Sequence, residues 1–115
     1  MSFVDVYGVE QFREIVNSPG LTVVYFSAVW CGPCKTIEKD LGKLTYALPN
    51  VRFAKVDADN NPEIVTRSNV AQLPTFMLIR DGKMLGYVLG ADIASLRQKI
   101  SSVATPTEAS SDKKK

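Results

Sequence analysis

Between Leu21 and Phe26 the chain reads Leu-Thr-Val-Val-Tyr-Phe, a short, β-branched and nearly continuous apolar run. A strand with one face in water alternates apolar and polar residues, whereas a run without that alternation is covered on both faces. The chain therefore needs a sheet with helices on each side. The run leads straight into Trp30-Cys31-Gly32-Pro33-Cys34, which holds both cysteines of the sequence.

Changes of hydrophobic period mark the other elements. Val9, Phe12 and Val16 recur at helical spacing, and Asn17-Ser18-Pro19-Gly20 ends that helix. After Cys34, the residues Ile37, Leu41, Leu44 and Leu48 line one stripe of a helix that stops near Pro49-Asn50. Val51, Phe53 and Val56 predict a strand. Asn61-Pro62-Glu63 has the form of an N-cap, a first-turn proline and an early acid, so a short helix to about Ser68 is expected. Thr75 to Ile79 predicts a strand, joined through the hairpin turn Asp81-Gly82 to another over Met84 to Leu89. Ile93, Leu96, Ile100 and Val103 make the stripe of a terminal helix. Gly82, Gly86 and Gly90 lie at GxxxG spacing, but within the hairpin, where they read as turn and close-packing glycines.

With a weaker strand around Phe3 to Tyr7, the order is β, α, β, α, β, α, β, β, α. This is an α/β fold, with parallel βαβ units followed by an antiparallel hairpin in a mixed sheet flanked by helices. From Thr105 the residues are mostly Thr, Pro, Ser, Asp and Lys, which cannot bury enough surface to order themselves. The expected division is a domain over residues 1–104 and a flexible polar tail over 105–115.

Composition narrows the function. The 115 residues carry 14 Lys and Arg against 12 Asp and Glu. Three of those cations are Lys113, Lys114 and Lys115, so the body is close to neutral and lacks the basic stripe that nucleic-acid binding needs. No apolar stretch approaches a membrane span, and no leader pattern opens the chain, so a cytoplasmic protein is expected, with nuclear import by the lysine tail as an alternative. Neither GxGxxG nor a P-loop is present, hence no nucleotide site. There is no histidine, which removes the usual general base, the commonest zinc ligand and every Cys-His nucleophile.

Three readings compete for Cys31 and Cys34. Zinc wants four ligands, which one such chain could supply only with a second copy. A structural staple closing so short a loop contributes only about 2 kcal/mol, and a reducing compartment would open it. A redox pair uses the position: a strand ending at Ser27 and a helix starting near Cys34 put Cys31 at a helix N-terminus, where unpaired N–H groups favour thiolate. Lowering a thiol pKa from about 8.5 to about 7 takes about 2 kcal/mol, within reach of a partly buried helix terminus.

Phe26-Ser27-Ala28-Val29-Trp30-Cys31-Gly32-Pro33-Cys34-Lys35 resembles the active-site segment of the thioredoxin family almost residue for residue. Lys55-Val56-Asp57-Ala58-Asp59, Pro74-Thr75-Phe76, Asp81-Gly82-Lys83 and Gly90-Ala91 match later landmarks of that family in order and spacing. The resemblance spans about residues 3 to 103 and implies a five-stranded mixed sheet with four helices. It implies a general protein-disulfide reductase, with Cys31 as exposed nucleophile and Cys34 as buried resolving thiol. No bound cofactor or metal is implied; electrons come from NADPH through a thioredoxin reductase. Implied targets are disulfide proteins of the peroxiredoxin, ribonucleotide reductase and methionine sulfoxide reductase type, met by a monomer. The same resemblance gives Trp30 an exposed docking face held by Asp59. It puts a cis peptide before Pro74, lets the backbone of Leu73 to Thr75 pair with an extended substrate, and makes Gly90 and Ala91 an apolar rim with Gly32 and Pro33.

Two departures stand out. Tyr25 occupies the place of the family's buried aspartate while that acid's neighbour, Lys55, remains. A phenol cannot replace a carboxylate base at neutral pH. Water, or Asp57 through water, is then expected to take the Cys34 proton, with Tyr25 hydrogen-bonded near Cys34 and Cys31 ionising more easily. Lys39 replaces a helix-kinking proline. A dithiol oxidase or isomerase is the nearest alternative enzyme, although those pair cysteine with histidine; a glutaredoxin lacks its dipeptide here. A redox-regulated binding subunit is the alternative from another class.

Overall fold

The computed structural model describes residues 3–110. In chain order the elements are β1 (Phe3–Asp5), α1 (Val9–Asn17), β2 (Leu21–Ser27), α2 (Gly32–Ala47), β3 (Arg52–Asp57), α3 (Pro62–Arg67), β4 (Thr75–Arg80), β5 (Lys83–Leu89), α4 (Ile93–Val103) and α5 (Pro106–Ala109). The strands form one mixed sheet in the order β1-β3-β2-β4-β5. As its unbroken apolar run requires, β2 lies at the centre and is buried at all seven positions.

Each face of the sheet carries its own core, because side chains alternate along a strand. Val23, Tyr25, Phe53, Phe76 and Leu78 pack with Ile37, Leu41 and Leu44 of α2 and with Leu96 and Ile100 of α4. Val24, Phe26, Ala54, Val56, Met77 and Ile79 pack on the other face with Val16 of α1 and Ile64 of α3. Tyr25 stands opposite Phe76 in β4, and the two rings stack with centroids 5.1 Å apart.

β1, β3 and β2 run parallel. The strand after α3 does not continue them: β4 is antiparallel to β2, and β5 antiparallel to β4. Hydrophobic period fixes which face a residue occupies and carries no strand direction. At the hairpin, Asp81 and Gly82 have φ of 53° and 85°, the positive pair that a type I′ turn demands. The β4–β5 register slips between Leu78, opposite Gly86, and Ile79, opposite Met84. Leu85 is left without a partner, a β-bulge in the outer strand.

Two expectations need correction. Asn61 stands at the N-cap of α3 but makes no side-chain cap bond. Its buried amide instead accepts from Gly8 N–H at 3.0 Å and donates to the carbonyls of Asp57 at 3.0 Å and Val6 at 3.4 Å, tying the α1 and α3 approaches together. The flexible tail expected from Thr105 does not begin there. Thr105 and Glu108 form a capping box around α5, a fifth helix against the four expected. Glu108 is buried and reaches back to the sheet through Arg80 Nη1 at 2.9 Å, Arg80 Nη2 at 2.6 Å and Leu21 N–H at 3.1 Å. Composition scored those residues as polar without showing that one acid had a half-buried cation waiting 28 positions upstream. Residues 111–115, including the three lysines, lie outside the described residues.

Candidate active site

The central strand β2 ends at Ser27 and α2 begins at Gly32, and the loop between them is anchored by Ala28 and Cys31 in the core under α2 and α4. Pro33 sits in the first turn of α2, where a missing N–H costs nothing and its fixed φ suits the helix. Cys31 is the N-cap residue, and its Sγ accepts the N–H of Cys34 at 3.2 Å. A backbone donor from the positive end of a sixteen-residue helix is thus aimed at that sulfur. Cys31 and Cys34 are joined in a disulfide with their Cα atoms 5.3 Å apart. The zinc reading fails on this bond, and among the described residues no three metal-binding side chains cluster.

Cys31 is not the exposed residue expected. Bonded to Cys34 and packed in the core cluster, it is 3% exposed, against 0% for Cys34. What projects around it is a collar: Val29 at 72%, Trp30 at 66%, and exposed Gly32 and Pro33.

The Trp30 indole N–H donates to Asp59 Oδ2 at 2.7 Å, which fixes the ring as an exposed wall. Asp57 holds the loop that presents Asp59, accepting from Asp59 N–H at 3.0 Å and from the Asn60 amide at 3.2 Å. The Leu73–Pro74 peptide is cis, and Pro74 is buried. Gly90 N–H donates to the Pro74 carbonyl at 2.9 Å, bringing the Gly90–Ala91 segment beside the proline loop. Among the described residues, Leu73 makes no backbone hydrogen bond.

Behind the disulfide, Tyr25 is buried, with its hydroxyl 3.2 Å from the Cys34 carbonyl and 3.1 Å from Glu38 Oε2. Burial pushes the phenol above the ordinary tyrosine pKa; a Ser27 hydrogen bond opposes this and the Glu38 carboxylate adds to it. Lys55 Nζ lies 3.5 Å from Glu38 Oε2 and 5.8 Å from the centre of the Tyr25 ring. The expected hydrogen bond between Tyr25 and Cys34 is present, and Lys55 has its acid. That acid, however, is Glu38 from α2, which the sequence reading missed. The signal was available: Glu38 is four residues after Cys34 on one helix, a spacing that stacks two side chains on the same face.

Residues 4–102 match the family model described as Thioredoxin. The chain belongs to the thioredoxin family. Among thioredoxins, mitochondrial thioredoxin-3 of Saccharomyces cerevisiae is 40% identical over 90 residues, which cover 78% of this chain and 71% of that protein. The crystal structure of thioredoxin from Trypanosoma brucei brucei is 60% identical, with a TM-score of 0.87, covering 89% of this chain and 90% of that one. A third similar chain comes from a structural study of thiol resolution in yeast mitochondrial 1-Cys peroxiredoxin via glutathione/thioredoxin systems. It is 35% identical with a TM-score of 0.85, covering 89% of this chain and 96% of its own. The mixed five-stranded sheet and the cysteine pair of the thioredoxin fold are therefore both present here.

Proposed function

We propose that this thioredoxin reduces protein disulfides in general, with Cys31 as nucleophile and Cys34 as resolving thiol. The observation that carries the reading is the cap: the Cys34 N–H points at Cys31 Sγ, so a thiolate at Cys31 meets a hydrogen-bond donor already in place. In the reduced protein that thiolate attacks a target disulfide, joins one target sulfur and expels the other. Cys34 then attacks Cys31, the intramolecular S–S bond forms, and the second target sulfur leaves as thiolate. Two electrons pass from the cysteine pair to the target.

Trp30 and the free backbone groups of Leu73 support docking of an extended segment, which pairs by main-chain hydrogen bonds and needs little sequence specificity. Targets of the peroxiredoxin, ribonucleotide reductase and methionine sulfoxide reductase type follow from that tolerance, the first of them in keeping with the third similar chain. NADPH and a thioredoxin reductase complete the cycle, and no cofactor is bound. The proposed location is the cytoplasm, with the nucleus also open to it; imaging the labelled full chain tests this against the mitochondrial naming of one relative.

The deciding assay is insulin reduction with NADPH and a thioredoxin reductase. The parent should precipitate insulin chains, Cys31→Ser should be inactive, and Cys34→Ser should accumulate a mixed disulfide through Cys31. An inactive parent, or adducts that form through Cys34 instead, would overturn the reading.

A further inference from the structure

On either side of Leu73 the chain is pinned. The Gln72 carbonyl accepts the Thr75 hydroxyl at 2.7 Å, and the Pro74 carbonyl accepts Gly90 N–H at 2.9 Å. Leu73, between them, packs its side chain against both cores and, among the described residues, makes no backbone hydrogen bond. The Thr75 hydroxyl is a firm anchor: the residue is 1% exposed, and its place in β4 lies between Phe26 of β2 and Leu89 of β5. Proline has no N–H, so residue 74 offers no main-chain donor with which to close the bend. The threonine side chain closes it instead, reaching back three residues to the Gln72 carbonyl. Gln72 is exposed, so water alone would satisfy that carbonyl; the bond shapes the loop rather than rescuing a buried acceptor.

We propose that Thr75 is a positioning residue for protein substrates, its hydroxyl clamping the Gln72 carbonyl so that the backbone of Leu73 stands ready for main-chain pairing. The proposal rests on the reductase reading above, in which an extended target segment docks on Leu73. Thr75 takes no part in the exchange of sulfurs; it acts through the loop. A loop ordered beforehand spares the encounter the entropy of ordering it. With the clamp gone, Leu73 samples conformations that do not pair, and docking weakens while the cysteines keep their chemistry. A target too small to present a main chain gains nothing from the clamp, so its reduction is indifferent to the hydroxyl.

Thr75→Val in the full chain keeps the branched shape and removes only the donor. In insulin reduction with NADPH and a thioredoxin reductase it should raise KM about fivefold, the weight of one hydrogen bond, with kcat unchanged. Thr75→Ser, which restores the hydroxyl, should return KM to within about twofold of the parent. A small aromatic disulfide should be reduced at the parental rate by both variants. NMR relaxation reads the loop directly: the order parameter of the Leu73 N–H should fall from about 0.85 to below about 0.6 in Thr75→Val and stay high in Thr75→Ser. An insulin KM unchanged in Thr75→Val overturns the proposal. So does an equal slowing of the aromatic disulfide, which would mean that the cysteines themselves had moved. A parent inactive on insulin would sink the reductase reading instead, and the order parameter then decides the clamp: a fall that Thr75→Ser reverses upholds it, and a Leu73 as rigid in Thr75→Val as in the parent overturns it.

Discussion

Replacing Glu108 by Gln isolates the charge that fastens α5 to the sheet. Four donors converge on two oxygens: Arg80 Nη1 and Leu21 N–H on Oε2, Arg80 Nη2 and Thr105 N–H on Oε1. An amide keeps one of those oxygens and turns the other into a donor, so at least one buried donor pair is left facing N–H₂. The carboxyl is drawn from its ordinary 4.5 down to about 2, chiefly by the Arg80 hydrogen bonds, with burial opposing. At 1.36 kcal/mol per pKa unit that shift amounts to about 3 kcal/mol. The side chain is only 10% exposed, so little solvent screening reduces it. For a chain of this size the melting temperature should fall by about 10 °C at neutral pH.

The sign of the pH dependence follows from the direction of the shift. A carboxyl with a lower pKa in the folded state contributes fully above the unfolded value and loses its contribution as pH falls toward the folded one. The stability gap between parent and Glu108→Gln should therefore be complete above about pH 5 and close as pH falls from about 4.5 toward 2. Urea unfolding of both proteins across that range is the measurement. A gap that does not change with pH, or a melting shift at neutral pH under about 2 °C, would refute the charge-based account.

Asp59→Ala frees the Trp30 ring and should raise the KM for insulin about fivefold, the weight of one exposed hydrogen bond of about 1 kcal/mol, with kcat unchanged; steady-state reduction measures it. Asn61→Ala removes a buried amide that holds Gly8, Val6 and Asp57, so urea unfolding should show a loss of about 2 to 3 kcal/mol. Gly82→Ala meets both a φ of +85° and the Asn17 side chain; a loss of about 1 to 2 kcal/mol by the same measurement is expected. By contrast, Gly42→Ala lies mid-helix with open space around its Cβ and should stabilise by about 0.5 to 1 kcal/mol.

What the sequence made legible was local. The apolar run of β2, the Asp81-Gly82 turn and the stripes of α2 and α4 each state their own conformation within a few residues, and the structure places them as read. Trp30, Asp59 and the cis bond before Pro74 came through the family resemblance. Features that escaped depend on reach across the chain. Nothing local in Pro106–Ala109 tells that Glu108 will meet Arg80, and nothing in the period of β4 tells which way it runs. Asn61 misled because the residue type that caps a helix is equally suited to bridging two backbones. Glu38 is the instructive case, since its spacing from Cys34 was visible while its hydrogen bond to the Tyr25 hydroxyl was not.

The bulge at Leu85 and the brevity of β1 bear on which molecules this protein can join. Among the described residues β1 offers three at one rim of the sheet, and the opposite rim is broken at Leu85 and Gly86, so among those residues neither rim gives a long straight ladder for a second copy to extend. In the proposed reading, main-chain pairing with another polypeptide is thereby left to Leu73, a short piece of backbone in a loop. An encounter there is short, and it ends when the sulfurs have exchanged; a carrier that must visit many clients gains by having nowhere else for them to stick.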